Sequence, residues 1–274
     1  MPPAPQPHQP LLPSEGPSSD GGRSSSPTPP PDSREGFRQR SSSVRIGERV
    51  NYVNAPHVIA MVGLPARGKT YIACKLTRYL NWIGINTRVF NAGDYRRKAT
   101  SNAFSNHDFF RADNPDAVEM RRKIAMDCLN DVCKWLQDGG EVGVFDATNS
   151  TYDRRQQIYN LVVRRYGFKL FFVESYCDDP NIVKDNILDV KLSSPDYVGV
   201  NADDAVRDFT LRIKHYEDAY KTLDETLEKH LSFMKIFNTG EKVIVHRHEG
   251  HIQSRVVYYL MNIHVTRRTI YLTR

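Results

Sequence analysis

The sequence predicts an α/β protein: a mostly parallel sheet with helices on both faces, preceded by a disordered N-terminal tail. Three observations carry that expectation. Runs such as His57-Val-Ile-Ala-Met-Val62 and Val142-Gly-Val-Phe145 are of strand length and continuously apolar, as in strands buried on both faces. Helix-length segments separate such runs, so strands and helices alternate along the chain. Eleven of the 16 prolines lie between Pro2 and Pro31, among Ser, Gly and Gln, a composition that cannot bury enough apolar area to offset chain entropy. We therefore expect a disordered Pro/Ser-rich tail at residues 1–50 and one folded domain at 51–262, with 263–274 as a separate end segment.

Taken in order, the first strand is His57–Val62, followed by a glycine-rich loop and a helical pattern to about Trp82. Thr87–Phe90 reads as a short strand. A long helix is predicted from Asn114 to Gln137, with Pro115 at its start and Gly139-Gly140 after its end. Glu141–Asp146 is a buried-type strand closing in a carboxylate. Tyr152–Tyr166 reads as a helix and Lys169–Glu174 as a strand. Helices are predicted at Pro180–Val190 and Ala202–Leu223, short strands at Ser232–Phe237 and Lys242–His246, and an apolar-rich helix near Gln253–Met261.

Composition removes several classes. Lys and Arg number 38 and Asp and Glu 32, a formal net charge of +6, which suits phosphorylated small molecules as well as nucleic acid. The longest apolar runs, near His57–Val62 and Val256–Ile263, fall well short of the roughly 20 residues that span a bilayer. With no apolar signal core at the N-terminus, the expectation is a cytoplasmic protein without a membrane partner. Cys74, Cys128, Cys133 and Cys177 show no CxxC spacing and fit reduced thiols rather than a zinc site. No period of 20–50 residues repeats.

Gly63-Leu-Pro-Ala-Arg-Gly-Lys-Thr70 fits G-x-x-x-x-G-K-T without exception. Its place between a buried-type strand and a helix marks it as a phosphate-binding loop rather than a chance match. The glycines let backbone N–H groups turn inward around phosphate oxygens, and the next helix points its positive end at them. Lys69 would then reach the β- and γ-phosphates of a nucleotide, and the Thr70 hydroxyl would ligate Mg²⁺. Asp146 closes its strand at the carboxyl end, where the ligand crevice of an open parallel sheet lies. It can hold Mg²⁺, orient an attacking hydroxyl, or cap the Asp146-Ala-Thr-Asn149 turn, and pattern alone leaves these open. Arginine is abundant beyond the loop, at Arg96, Arg97, Arg111, Arg121, Arg122, Arg154, Arg155, Arg164, Arg165 and Arg212. A substrate phosphate calls for guanidinium forks, so some of these are expected in the cleft. The residues alone indicate a P-loop transferase or hydrolase acting on an anion. A GTPase switch is disfavoured, because no Asn-Lys-x-Asp guanine-reading motif occurs.

Longer blocks carry a more specific resemblance. Gly63–Tyr71, Leu76-Thr-Arg-Tyr-Leu-Asn-Trp-Ile-Gly84, Tyr95-Arg-Arg97, Phe145-Asp-Ala-Thr-Asn149, Ser194-Pro-Asp-Tyr197 and Gln253–Val265 closely resemble the 6-phosphofructo-2-kinase/fructose-2,6-bisphosphatase family. The similarity covers about residues 52–274 and implies a P-loop nucleotide-binding kinase fold. That family joins an ATP-dependent kinase half to a histidine-phosphatase half opening in Arg-His-Gly-Glu. Here Thr269-Ile-Tyr-Leu-Thr-Arg274 contains the Arg and stops before the His. The resemblance therefore implies the kinase alone, with 263–274 as linker and first strand of an absent phosphatase. Thr266-Arg-Arg268 also departs from the Thr-Pro-Arg common there.

The resemblance implies ATP contacts from Gly63, Leu64, Pro65, Ala66, Arg67, Gly68, Lys69, Thr70 and Tyr71. It implies others from Asn186, Ile187, Leu188, Asp189, Val190 and Lys191. Catalytic parts are implied for Lys69, Asp146, Cys177 and Lys191, although Cys177 by its own pattern reads as a buried structural thiol. Fructose 6-phosphate contacts are implied for Arg96, Arg121, Thr148, Arg154, Lys191, Arg212 and Tyr216, and a homodimer is expected. The implied reaction moves the ATP γ-phosphoryl group to the 2-hydroxyl of fructose 6-phosphate, giving fructose 2,6-bisphosphate. Alternatives are another P-loop kinase for a small molecule or polynucleotide end, or a non-catalytic partner of a full-length bifunctional enzyme. In the tail, Arg38-Gln-Arg-Ser-Ser-Ser43 forms an R-x-R-x-x-S pattern, so Ser41, Ser42 and Ser43 are candidate targets of a basophilic protein kinase.

Overall fold

A computed structural model describes residues 55–100, 107–188 and 195–262, all in one unit of the chain. The tail with Ser41, Ser42 and Ser43, the Asp189–Lys191 stretch and the 263–274 segment lie outside the described residues. In chain order come β1 (His57–Val62), α1 (Lys69–Trp82), β2 (Thr87–Asn91) and α2 (Ala92–Thr100). A 3₁₀ turn (His107–Phe110), α3 (Pro115–Gln137), β3 (Val142–Asp146), α4 (Tyr152–Tyr159) and β4 (Lys169–Tyr176) follow. The last group is α5 (Pro180–Asn186), a 3₁₀ turn (Pro195–Tyr197), α6 (Ala202–Glu217), β5 (Phe233–Phe237), β6 (Lys242–His246) and α7 (Gly250–Asn262).

One six-stranded sheet has the order β2-β3-β1-β4-β5-β6. The first five strands are parallel, with Ile59 opposite both Val144 and Phe171, and only β6 runs antiparallel to its neighbour. Alternate residues of β1 serve opposite faces, as the two-residue period of a strand requires. Val58 and Ala60 join Leu129, Val132 and Leu136 of α3 and Ile158 of α4. Ile59 and Met61 join Leu76 and Leu80 of α1 and Val256 and Leu260 of α7. The expected mostly parallel sheet with helices on both faces is thus present. Helix α6 packs elsewhere: its Ala205, Phe209 and Ile213 gather with Ile187 and Tyr197 around Ala66, over the loop after β1.

The connection from β1 travels outward past β3, and that from β3 travels back past β1. Such opposed right-handed crossovers lie on opposite faces, so the loops after β1 and β3 part and leave a crevice at the carboxyl ends of both strands.

Three expectations about the elements change. The Tyr152–Tyr166 helix is α-helical only to Tyr159, and Asn160–Arg165 widens into a π turn. The helix expected over Ala202–Leu223 stops at Glu217. Beyond it, Tyr220 Oη, Thr222 Oγ1 (3.0 Å) and the Leu223 N–H (3.2 Å) all donate to the buried Glu174 carboxylate on β4. Satisfying that carboxylate outweighs continuing the helix, because an unpaired buried charge is costly. Helix α2 was not expected; its Ala-Gly-Asp opening is a poor helix start, and it is anchored at its N-terminus by Asn91 rather than by an apolar stripe.

Candidate functional site

Gly63 leaves β1 with φ of 137°, and a Cβ there would stand 2.5 Å from the Ser175 carbonyl oxygen of β4, so only glycine lets the two backbones approach this closely. Its N–H donates to the Thr148 carbonyl at 3.0 Å, which ties the loop after β1 to the loop after β3. Gly68, at φ of 80°, is the N-cap of α1 and turns the chain into the helix. Between these glycines the loop is fastened from outside. Arg67 Nε donates to the Cys177 carbonyl at 2.7 Å, Asn186 Nδ2 to the Ala66 carbonyl at 3.1 Å, and Ser175 Oγ to the Arg67 carbonyl. Lys69 Nζ donates to the Leu64 carbonyl at 2.6 Å, so its ammonium lies folded over the loop that precedes it.

Beside this loop opens a cleft of about 800 Å³. Its near wall holds Pro65, Lys69 and Thr70 of the loop, Asp146 at the end of β3 and Thr148 just beyond it. Asp146 is 3% exposed, and Asn91 Nδ2, at the end of the adjacent strand β2, donates to its Oδ2 at 2.5 Å. Asn149 takes φ of 44° and donates through Nδ2 to the Met61 carbonyl at 2.8 Å, fixing the turn that follows Asp146.

The far wall is cationic. Arg96 and Arg97 come from α2, Arg121 and Arg122 from α3, Arg154 from α4, and Arg212 with Tyr216 from α6. Asp196 receives Arg96, Arg212 Nη1 (3.2 Å) and Arg97 Nη1 (3.4 Å). Burial alone would push the Asp196 carboxyl upward, but the charges of Arg96 and Arg212 hold it below the ordinary carboxylate value. Burial pulls Arg154 down, and the neighbouring charges of Arg122 and Arg121 add to that. Cations crowded in this way favour a bound anion. Arg212 lies 3.8 Å from the Phe110 ring centroid, and its buried Nε has no hydrogen-bond partner among the described residues.

Of the expected site residues, ten meet in one place, Pro65 among them. Lys69, Thr70, Asp146, Arg96, Arg121, Thr148, Arg154, Arg212 and Tyr216 all line the cleft. Arg121 turns its guanidinium onto the carbonyls of Phe109 and Arg111. Asn186 and Ile187 touch the phosphate-binding loop from behind, through hydrogen bonding and packing at Ala66 respectively, and Leu188 is exposed. Cys177 stands outside the lining: its carbonyl anchors Arg67, and burial pushes its thiol upward, toward the protonated form. Asn91, Asp196 and Phe110 are among the cleft residues to which the sequence assigned no role. Asn91 carries the same signal as Asp146, a polar residue at the carboxyl end of a buried strand. Asp196 lay inside a motif without an assigned partner, and Phe110 reads from sequence as ordinary core.

A phosphate-binding loop entering α1 and an acidic residue on the adjacent strand, faced by a guanidinium wall, make this a P-loop nucleotide-binding protein of the kinase type. The chain belongs to the 6-phosphofructo-2-kinase family, whose pattern it matches over residues 47–267. It is 54% identical over 224 residues to a "6-phosphofructo-2-kinase/fructose-2,6-bisphosphatase" of Aquarana catesbeiana, covering 81% of this chain and 47% of that protein. Against "6-phosphofructo-2-kinase/fructose-2,6-bisphosphatase 1" of Homo sapiens it is 51% identical over 238 residues, 86% of this chain and 49% of the other. The chain thus spans about half the length of these relatives. Among solved structures, the APS kinase CysC of Mycobacterium tuberculosis in complex with AMPPNP and APS aligns with a TM-score of 0.46 at 14% identity, covering 76% of this chain and 98% of that one. No helix of the described residues is long and apolar enough to cross a membrane.

Proposed function

We propose that this chain transfers the γ-phosphoryl group of ATP to the 2-hydroxyl of fructose 6-phosphate, forming fructose 2,6-bisphosphate. The observation that carries this reading is the single cleft shared by Lys69, Thr70 and Asp146 on one side and Arg96, Arg121, Arg154 and Arg212 on the other. Membership of the 6-phosphofructo-2-kinase family supports the choice of acceptor.

In-line phosphoryl transfer asks the protein mainly for positioning and charge stabilisation. The loop N–H groups and the start of α1 would cradle the nucleotide phosphates. Lys69 would leave the Leu64 carbonyl for the β- and γ-oxygens. The guanidinium wall would anchor the sugar 6-phosphate and so present the 2-hydroxyl to ATP. Asp146, held by Asn91, would orient that hydroxyl and accept its proton. The Thr70 hydroxyl and the Asp146 carboxylate are hard oxygen donors lining one cleft, a set that fits Mg²⁺. When bound, Mg²⁺ offsets charge on the phosphate oxygens.

The same reading keeps residues 51–262 as the catalytic unit, with Asp189, Val190 and Lys191 completing the nucleotide side and Lys191 as a second cation near the transferred group. Cys177 is assigned a supporting part through its carbonyl. It also keeps a cytoplasmic homodimer and phosphorylation of Ser41, Ser42 or Ser43 by a basophilic kinase, on the sequence arguments given above. The test is one assay of the purified chain with ATP, Mg²⁺ and fructose 6-phosphate, detecting the 2,6-bisphosphate. Lys69→Met should lower turnover at least about 100-fold, the order seen when one charge-stabilising group is removed, with an unchanged circular dichroism spectrum. Wild-type turnover in that variant refutes the role of Lys69, and a folded parent that binds ATP without making product refutes the reaction.

A further inference from the structure

We infer that Arg155, held by Glu228, is a positioning residue that sets the spacing between the two walls of the cleft. The inference deepens the proposed reaction and rests on it. Arg155 lies in the first turn of α4 beside the cleft residue Arg154, yet it is 0% exposed and points the other way, into the protein. Its Nε and Nη2 donate to the two carboxylate oxygens of Glu228, each at 2.7 Å, in a bidentate pair. That leaves Nη1, which donates to two carbonyls at once: Asn149 at 3.3 Å and Lys221 at 2.8 Å.

These carbonyls belong to opposite sides of the site. Asn149 ends the Asp146–Asn149 turn, in the left-handed region at φ of 44°. Lys221 lies just past the end of α6, which carries Arg212 and Tyr216. The Lys221 N–H also donates to the Ser150 carbonyl at 2.8 Å, so the two segments already touch, and the guanidinium fixes their separation. One planar fork therefore joins the wall bearing Asp146 and Thr148 to the wall bearing the sugar-phosphate arginine.

A buried ion pair is weak evidence of a stabilising role, since an apolar pair of similar volume is often equally stable. A guanidinium is the group suited to a carboxylate fork and two carbonyls together, whereas an ammonium is a point donor without that planar geometry. The residue choice matches a need for geometry.

The experiment uses the full 274-residue chain and compares the parent with Arg155→Lys and with Arg155→Met combined with Glu228→Met. Amide hydrogen exchange reads the geometry without reference to activity. In Arg155→Lys, segments 147–151 and 219–223 should exchange together, at least about tenfold faster, with α1 unchanged. Steady-state kinetics should show kcat/KM for fructose 6-phosphate lowered at least about tenfold, with the Kd of a non-hydrolysable ATP analogue within about twofold of the parent. The Met/Met variant should show the same kinetic loss at a melting temperature close to the parent's, which a purely structural role would not produce. If Arg155→Lys does not fold, Glu228→Gln, which loosens the fork while keeping its shape, takes its place. Parental exchange in both segments, or parental kcat/KM in a folded variant, overturns the inference. A parent without turnover refutes the proposed reaction instead, and the exchange data still decide the role of Arg155.

Discussion

At His57 the first strand begins with an imidazole turned into the protein, 4% exposed, its Nδ1 hydrogen donated to the Ala55 carbonyl at 2.6 Å. Burial brings its pKa down to about 4; the Ala55 bond opposes this, and Lys169 and His251 add to it. An unfolded chain takes up this proton near pH 6.5, but the folded chain does so only near pH 4. The contribution of His57 is therefore intact above pH 6.5 and is lost as the pH falls through that window. The gap corresponds to at most about 3–4 kcal/mol. Urea unfolding at pH 7.5 and at pH 4.5 should show a fall in stability that is shallower in His57→Gln. An equally steep fall in the variant would remove His57 as its cause.

Among the elements, α3 illustrates what sequence alone makes legible. Asn114 caps it, accepting from the Ala117 N–H at 3.1 Å, Pro115 opens it, and its apolar stripe faces the sheet through Leu129, Val132 and Leu136. Each of those signals is local, so its start and end could be read directly. Asn114→Ala should lower the unfolding free energy by about 1 kcal/mol, the usual worth of such a cap. Because the cleft side of α3 is also held where Arg121 reaches the Phe109 and Arg111 carbonyls, kcat should hardly change. Urea unfolding and the assay of 2,6-bisphosphate formation check the two halves of this statement, and a large loss of kcat would show that the cap orders the arginines. The central strands β1 and β3 were equally legible, being buried on both faces. Helix α2 and the end of α6 were not. The first opens in Ala-Gly-Asp without an apolar stripe, and its cap Asn91, though adjacent in sequence, reads as the end of a strand; the second is cut short by Glu174 on a strand far away in sequence, a cause no local window contains.

Across the whole molecule, the net charge of +6 gains a location: arginines from four helices converge on one cleft. The nucleotide side was legible because strand, loop and helix are contiguous in sequence. The arrangement of the opposite wall was not, since Arg96, Arg121, Arg154 and Arg212 meet only through the crossovers of the sheet. Asp196, which gathers three of the arginines, has a role only in three dimensions. Arg212 tests this wall most directly. Its Nη1 is engaged by Asp196 and its ring-facing side by Phe110, but its buried Nε has no hydrogen-bond partner among the described residues, so a ligand oxygen would complete it. A charge-assisted hydrogen bond contributes about 1.5–3 kcal/mol, which corresponds to a change of roughly ten- to 100-fold in affinity. Arg212→Ala should therefore raise KM for fructose 6-phosphate by that factor, while KM for ATP, read on the far side of the cleft, stays near its parental value. Raising ionic strength should weaken sugar-phosphate binding in the parent more than in the variant, because one cation fewer remains to be screened. If KM for the sugar phosphate is unchanged in Arg212→Ala, Arg212 belongs to the Asp196 network alone, and the substrate phosphate must be held by the other arginines.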